Sequence, residues 1–364
     1  MRAYVLAFVL LLSGCNLLEL TPASSVIRTR VAGIAAEPAE IGLGESTTLS
    51  SLLVHPPGDP PALGQIWFAC LEGESAVGCL GLDFGEFLDD GSGDDDDDTA
   101  APPDLTSGDF QFGIGPTFTY TAEGETLDEA WALLEPEDRV EGLTLLVAVN
   151  YVDRSNEELQ DLLIRLGTAL QSGDDAAMEE LTSELTGLMD GAITAARRVV
   201  ISDKSAGTPA AIECPVTELL PNANPLVDDL LLHGEGDGKD SGFPVGPITF
   251  VEPGRSITLR PAFAEESRED YLFINRHQET ECRREDPYFA WLVNGNAEMS
   301  DDHSFVAEDG DLDEVAGRAK RNRLHLPEAE EFPAEGIDLW VVARDRRGGL
   351  TWLQRRFLAF EDPE

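Results

Sequence analysis

A six-residue pattern occurs twice in this chain, and both copies open a run of sequence with strand character. Gly44-Glu45-Ser46-Thr47-Thr48-Leu49 answers to Gly254-Arg255-Ser256-Ile257-Thr258-Leu259, a shared G-x-S-x-T-L. Two further matches follow in the same order. Gln65-Ile66-Trp67-Phe68 parallels Phe289-Ala290-Trp291-Leu292, and Glu141-Gly142-Leu143-Thr144-Leu145-Leu146-Val147 parallels Glu335-Gly336-Ile337-Asp338-Leu339-Trp340-Val341. Self-similarity that keeps its order points to one structural plan used twice. Phe110, Phe112, Ile114, Phe118 and Tyr120 all fall on even positions, with Thr117, Thr119 and Thr121 on odd ones. Period-two alternation of this kind predicts a sheet with one apolar and one hydroxyl-bearing face. Residues 143–149 are almost continuously apolar, as expected of a central strand, and residues 350–360 give a closing strand interrupted by Gln354-Arg355-Arg356.

Short strands, a tryptophan on an early strand and a long apolar strand near the end together resemble immunoglobulin-like folds. The G-x-S-x-T-L stretch, preceded by Glu37-Pro38-Ala39-Glu40, resembles the first strands of immunoglobulin-like modules of bacterial surface proteins. The resemblance covers most of residues 26–360 and implies a mainly β chain of two immunoglobulin-like β-sandwich domains. It departs from the antibody pattern at the disulfide, because Cys70 lies only three residues after Trp67. Two stretches interrupt the first copy. Residues 83–98 hold nine acids and no base, so residues 83–104 are expected to be a disordered acidic loop. Ser155-Asn156-Glu157-Glu158 is a capping box, and Leu159, Leu162, Leu163, Leu166 and Leu170 follow at helical spacing. After Gly173-Asp174-Asp175, Met178, Leu181, Leu185, Leu188 and Met189 mark a second helix. A helical hairpin, residues 155–192, is thus expected between the last two strands of domain one. Its stripe would pack on itself or on the sandwich, and a face for a protein partner is the alternative. The domains expected are 26–209 and 210–364.

The N-terminus carries a different message. Arg2 precedes a ten-residue apolar run, residues 3–12, about half the length a membrane span needs and typical of a signal peptide. Leu12-Ser13-Gly14-Cys15 resembles the lipobox of bacterial lipoproteins. The resemblance implies removal of residues 1–14, diacylglyceryl and acyl chains on Cys15, and a membrane anchor through that lipid. More than one acyl chain is needed for stable anchoring. An ordinary signal peptide with an incidental cysteine is the alternative, but the stretch lacks an A-x-A site. Asn16, where the family's inner-membrane retention signal is usually Asp, favours the outer membrane, periplasmic or surface-facing. Residues 15–25 read as a tether.

The formal charge is −45, and losing Arg2 with the signal peptide makes it about −46. Such acidity argues against nucleic acid and against anionic lipid headgroups as partners. It also fits a salty medium or acidic loops in a GC-rich genome. Positive charge is nearly all arginine; Lys204, Lys239 and Lys320 are the lysines.

With Cys15 assigned to lipid, four cysteines remain and allow three pairings. Cys70 and Cys79 enclose eight residues, which makes that bond the natural one in an oxidising compartment. By elimination Cys214 then pairs with Cys282. His55, His233, His277, His303 and His325 show no metal-ligand spacing, and no nucleophile elbow, phosphate loop or C-x-x-C occurs. Asp309-Gly310-Asp311-Leu312-Asp313 opens like a calcium loop, but Glu314 stands where glycine is required and Lys320 where the bidentate acid is required. That stretch, like Glu235-Gly236-Asp237-Gly238-Lys239-Asp240, reads as a solvated turn, so no cofactor is expected. The leading expectation is a non-catalytic envelope lipoprotein acting as a scaffold or interaction module. A carbohydrate-binding or adhesion module, with Trp352 or Tyr288 as platform, is second. A hydrolase with an acidic site is third.

Overall fold

A computed structural model describes residues 22–58, 61, 63–72, 110–207, 209–210, 212–233, 242–263, 267, 269–274, 279–285, 287–305 and 321–360. Cys15, Cys79, the acidic stretch 83–104 and the glycine-rich acidic segments 235–240 and 309–313 lie outside them. In the N-terminal half the strands are β1 (Arg30–Glu37), β2 (Glu40–Ile41), β3 (Ser46–Val54), β4 (Gly64–Leu71), β5 (Phe110–Ile114) and β6 (Thr117–Thr121). Helices α1 (Glu125–Leu133) and α2 (Asp138–Glu141) lead to β7 (Leu143–Val152). Helices α3 (Asn156–Ser172) and α4 (Asp175–Met189) then lead to β8 (Ile193–Ile201). The C-terminal half comprises β9 (Val227–His233), β10 (Phe243–Pro244), β11 (Ile248–Val251), β12 (Ser256–Phe263), β13 (Asp270–Ile274), β14 (Thr280–Arg284) and β15 (Tyr288–Val293). It continues with β16 (Glu298–Met299), β17 (His303–Phe305), β18 (Asn322–His325), β19 (Ile337–Arg344) and β20 (Leu350–Ala359).

The chain is mainly β, and its two halves repeat one topology. A sheet of order β2-β8-β7-β4-β5 in the first half matches β11-β20-β19-β15-β17 in the second. In each, a short strand pairs in parallel with the last strand: β2 with β8, and β11 with β20. The facing sheets are β1-β3-β6 and β10-β9-β12-β18-β16. Ile34, Leu49, Phe118, Trp67, Val147 and Ile201 fill the space between the first pair. Leu230, Leu259, Leu324, Trp291, Val341 and Phe357 fill the second. Trp67 and Trp291 take equivalent places, fully buried, with their indole N–H groups donated to Gly115 O at 2.8 Å and Ser304 Oγ at 2.9 Å.

The repeated glycine has a physical reason. Gly142 and Gly336 precede the central strands with φ of 80° and 91°. A Cβ on Gly142 would overlap the carbonyl of Ile201, and one on Gly336 would crowd that of Phe357. Each glycine lets the start of a central strand pass against the backbone of the closing strand.

Both central strands are buried on two faces. In β7, Leu145, Val147 and Val149 face the core, while Val152 joins Ile66 and Phe68 of β4 beneath the helices. Leu159 and Leu162 of α3 and Leu181 and Leu185 of α4 cover that outer face. The leucine stripe therefore packs on its own helix partner and on the sheet. Ser155 starts α3 by reciprocal bonds: its N–H donates to Glu158 Oε2 at 2.8 Å and its Oγ accepts from the Glu158 N–H at 3.2 Å.

One expectation fails. The even-numbered run from Phe110 to Tyr120 does not share a sheet face. At Gly115, whose φ is 133°, and Pro116 the chain crosses between sheets, so β5 pairs with β4 while β6 pairs with β3. Phe118 and Tyr120 enter the core, and Phe112 stays half exposed. The turn resets the alternation because the next strand belongs to the opposite sheet.

Substituting Gly142→Ala or Gly336→Ala should lower the urea-unfolding free energy by more than about 1 kcal/mol each, since L-residues pay that much in the left-handed region before any overlap. Gly187→Ala in α4, where a Cβ meets open space, should instead stabilise by up to about 1 kcal/mol.

Candidate functional site at the junction of the two halves

The outer face of β19 is covered by the other half of the molecule. Trp340 and Val342 pack with Leu350 against Leu52 and Val54 of β3, and Val26 completes the cluster. His55 meets the Trp340 ring edge-on at 6.0 Å between centroids. Residues 22–26, which close the stretch read as a tether, dock here. The Val26 N–H donates to Val293 O at 2.8 Å, and the Val293 N–H donates to Ser24 O at 2.8 Å.

Polar contacts border this apolar patch. Asn294 donates to His55 O at 3.1 Å and accepts from the Asp338 N–H at 2.8 Å. Arg344 donates to Ala32 O at 2.7 Å, and Arg197 donates to Ile34 O and Gly348 O. Each arginine reaches from one half to a backbone carbonyl of the other. Burial and the neighbouring Arg344 guanidinium lower the Arg197 pKa to about 10, although Asp345 opposes the shift.

A buried ionic cluster lies on the far side of the same turn. Arg347, between β19 and β20, contacts Glu285 at 2.8 Å, Glu269 at 3.6 Å and Glu40 at 3.8 Å. It donates to Leu220 O at 2.9 Å and lies over the Tyr271 ring at 4.4 Å. Glu40, on β2, also takes Lys204 Nζ at 2.6 Å, Ser202 Oγ at 2.7 Å and the Asn222 N–H at 2.6 Å. Asp345 shapes the turn by accepting the Arg347 and Gly349 N–H groups at 2.8 and 2.7 Å, and it accepts Asn222 Nδ2 at 3.2 Å. Asn224 ties the connecting segment to Ala36 O and Glu37 at 2.6 Å each, and to the Leu350 N–H at 2.9 Å. Burial raises the Glu285 pKa to about 7, helped by Asp345 and Glu269 and opposed by Arg347. Burial, opposed by Arg347 and helped by Asp345, raises Glu269 as well.

A cleft of about 320 Å³ opens beside this cluster, lined by Glu40, Arg198, Lys204, Phe273, Arg283 and Arg346 among others. Leu219, Leu272 and Ile274, which also line it, belong to a small apolar cluster with Cys214, and Cys214 is cross-linked to Cys282 with Cα atoms 5.6 Å apart. The pairing is the one expected from the sequence. Cys70 is also disulfide-bonded; its expected partner, Cys79, lies outside the described residues.

Other residues singled out in the sequence do not converge. His55 sits in the junction, His303 beside Tyr288, and His325 between Ser256 and Ser300. Trp352 is half-buried against the junction cluster, and Tyr288 is half-buried at the wall of a neighbouring groove. Arg347, Glu40, Glu285 and Asn222 carried no signal that sequence reasoning could use, because their partners are far apart in the chain.

No family model and no curated protein matches the chain. Similar solved structures include the alpha-2-macroglobulin of E. coli in its native conformation, at 7% identity, covering 91% of this chain and 17% of that one, with a TM-score of 0.22. The adhesin InvE of Yersinia pseudotuberculosis is 10% identical, with 90% of this chain and 60% of that one covered and a TM-score of 0.20. The three N-terminal domains of the bacteriophage RB49 outer capsid protein Hoc are 9% identical, with 92% and 100% covered and a TM-score of 0.19. This chain thus spans less than two thirds of the first two, and likeness at such scores bears on neither the details of the fold nor the function.

The Glu285 shift sets a pH dependence. A carboxyl whose folded pKa is raised contributes most below its unfolded value, and the contribution is lost as pH rises through the folded pKa. The urea midpoint should fall as pH rises from about 4.5 to above 7, and Glu285→Gln should flatten that slope. Arg347→Met, which leaves buried carboxylates without their cation, should cost roughly 3–5 kcal/mol at neutral pH. The cost should be smaller at pH 5, where Glu285 holds its proton.

Proposed function

We propose that this protein is an envelope lipoprotein, lipid-anchored through Cys15, whose two immunoglobulin-like sandwiches form a rigid, non-catalytic scaffold for a protein partner. On this reading α3 and α4 are a helical hairpin inserted into the first sandwich, and the anchor places the body at the outer membrane, periplasmic or surface-facing. The observation that carries the reading is the junction. Trp340, Val26, Leu52 and Val54 are buried there, Arg347 reaches Glu40 across the halves at 3.8 Å, and the Asn222 N–H of the connecting segment donates to Glu40 at 2.6 Å. The carboxylates that a hydrolytic reading would need, Glu285 and Asp345, are held by Arg347 and by the turn N–H groups. They support rigidity rather than chemistry. A carbohydrate-binding or adhesion module stands second, because Trp352 is packed into the junction and Tyr288 is half-buried.

The partner-facing side of the hairpin is its outward one, where Ile164 is 68% exposed and Arg165 and Arg154 share Glu184. Deleting the hairpin would bare Ile66 and Phe68, so the test uses a surface substitution. Capture from detergent-solubilised membranes should yield a partner with the unaltered protein and lose it with Ile164→Asp. The same partner at the same yield would sink the hairpin's role. Intact mass should show residues 1–14 removed and acyl chains gained, both abolished by Cys15→Ala. A non-acylated mass would overturn the anchor.

A further inference from the structure

The outer face of the C-terminal sheet is only partly covered by the N-terminal half. Odd-numbered residues of β20 such as Phe357 face the core, so the even-numbered ones, from Trp352 through Leu358 to Phe360, line the outer face. Trp352 is packed at the junction. At the other end of the strand Phe360 is 59% exposed, and on the adjoining strand Ile248 and Phe250 are 59% and 64% exposed. Register sets Phe250 directly beside Leu358, and the Phe360 N–H donates to Val251 O at 2.8 Å. Ile248, Phe250, Leu358 and Phe360 thus form one apolar patch at the sheet edge. Its three exposed side chains offer roughly 300–400 Å², within the size range of patches that function as binding surfaces.

Two observations select what covers it. A second copy of this chain would bring a formal charge of −45 against the same charge, a repulsion that opposes self-association. The second observation is where the chain enters the body. Because residues 22–26 are docked at Val293, six residues separate Pro22 from Cys15, seven Cα–Cα steps with a reach of at most about 25 Å. Ser25 pairs with Val293 at the opposite edge of the same sheet. Strand spacing and register put the patch about 19 Å across the sheet from Ser25 and about 10 Å along it, or about 22 Å from that residue. A bilayer plane touching the patch therefore lies at a distance comparable to the tether's full reach.

We propose that Ile248, Phe250 and Phe360 form a membrane-contacting surface that seats the anchored body on the headgroup–acyl boundary of a zwitterionic phospholipid bilayer. The inference rests on acylation of Cys15. Seating by this edge turns the junction cleft and the hairpin into fixed features of an oriented body instead of a freely tumbling one.

Hydrogen–deuterium exchange on the acylated protein in phosphatidylcholine vesicles tests this. β11 is an edge strand among the described residues, so its amides exchange readily in water. Peptides covering residues 248–251 should exchange at least ten-fold more slowly on vesicles than in Cys15→Ala protein free in buffer. Phe250→Ser with Phe360→Ser, still acylated by mass, should abolish the slowing while β12 keeps its exchange. Unchanged exchange in an acylated, vesicle-bound protein overturns the inference and leaves the anchor standing. Slowing in the free Cys15→Ala protein that grows with protein concentration overturns it in favour of a second copy. A mass without acyl chains overturns the anchor, and the inference falls with it.

Discussion

Trp340 is 1% exposed although it lies on the face of its sheet that points away from the core of its own half. Everything that makes the two halves a single body follows from that placement. An indole on the outer face of a central strand must find cover, and Leu52, Val54 and Val26 provide it. Beyond Leu350 of this cover lies the turn between β19 and β20, where Arg347 meets Glu285, Glu269 and Glu40. Charges removed from water favour association only with good geometry and satisfied lone pairs. Ser202 and the Asn222 N–H on Glu40, and Asn222 Nδ2 with the turn N–H groups on Asp345, supply that satisfaction. The apolar contact comes first in this logic, because the ion pairs would be weak in water.

The same demand is met differently in the two halves. β7 and β19 are equivalent strands in equivalent sheets, and each carries apolar side chains on both faces. Helices α3 and α4 cover the outer face of the first sheet, and the N-terminal half covers the Trp340 end of the second. The helices are therefore the structural counterpart of a neighbouring half. This explains why their leucine stripe faces the sheet and leaves the charged side and Ile164 outward.

What the sequence made legible is what depends on near neighbours. The G-x-S-x-T-L pattern, the two tryptophans and the glycines at 142 and 336 encode local backbone needs, and each recurs because the same strand crossing recurs. The capping box at Ser155 is similarly local. The run from Phe110 to Tyr120 misled because alternation within a strand says nothing of which sheet the next strand joins, and Gly115-Pro116 changes the sheet. Residues 22–26 looked like tether because proline, alanine and serine carry no apolar pattern, yet a single backbone ladder to Val293 fixes them. The junction was invisible for a related reason. Glu40 and Arg347 are separated by most of the chain, and in a chain with 70 acids a single partnered glutamate has no distinguishing mark.

That acidity gives the junction its particular chemistry. Glu40, Glu269, Glu285 and Asp345 cluster around one guanidinium and Lys204, so with every acid ionised the cluster would be net negative in a low-dielectric place. The raised pKa of Glu285 is how the site relieves this: a proton takes the part of a missing cation. Arginine suits the central position better than lysine would, because a planar fork can serve several carboxylates while one face stacks on Tyr271. The stability of this cluster is thereby coupled to proton concentration through the Glu285 carboxyl. Protonation of Glu285 and partial neutralisation of the surface acids both favour the folded chain as pH falls toward the carboxylate range, so the buried cluster and the surface charge respond to pH in the same direction.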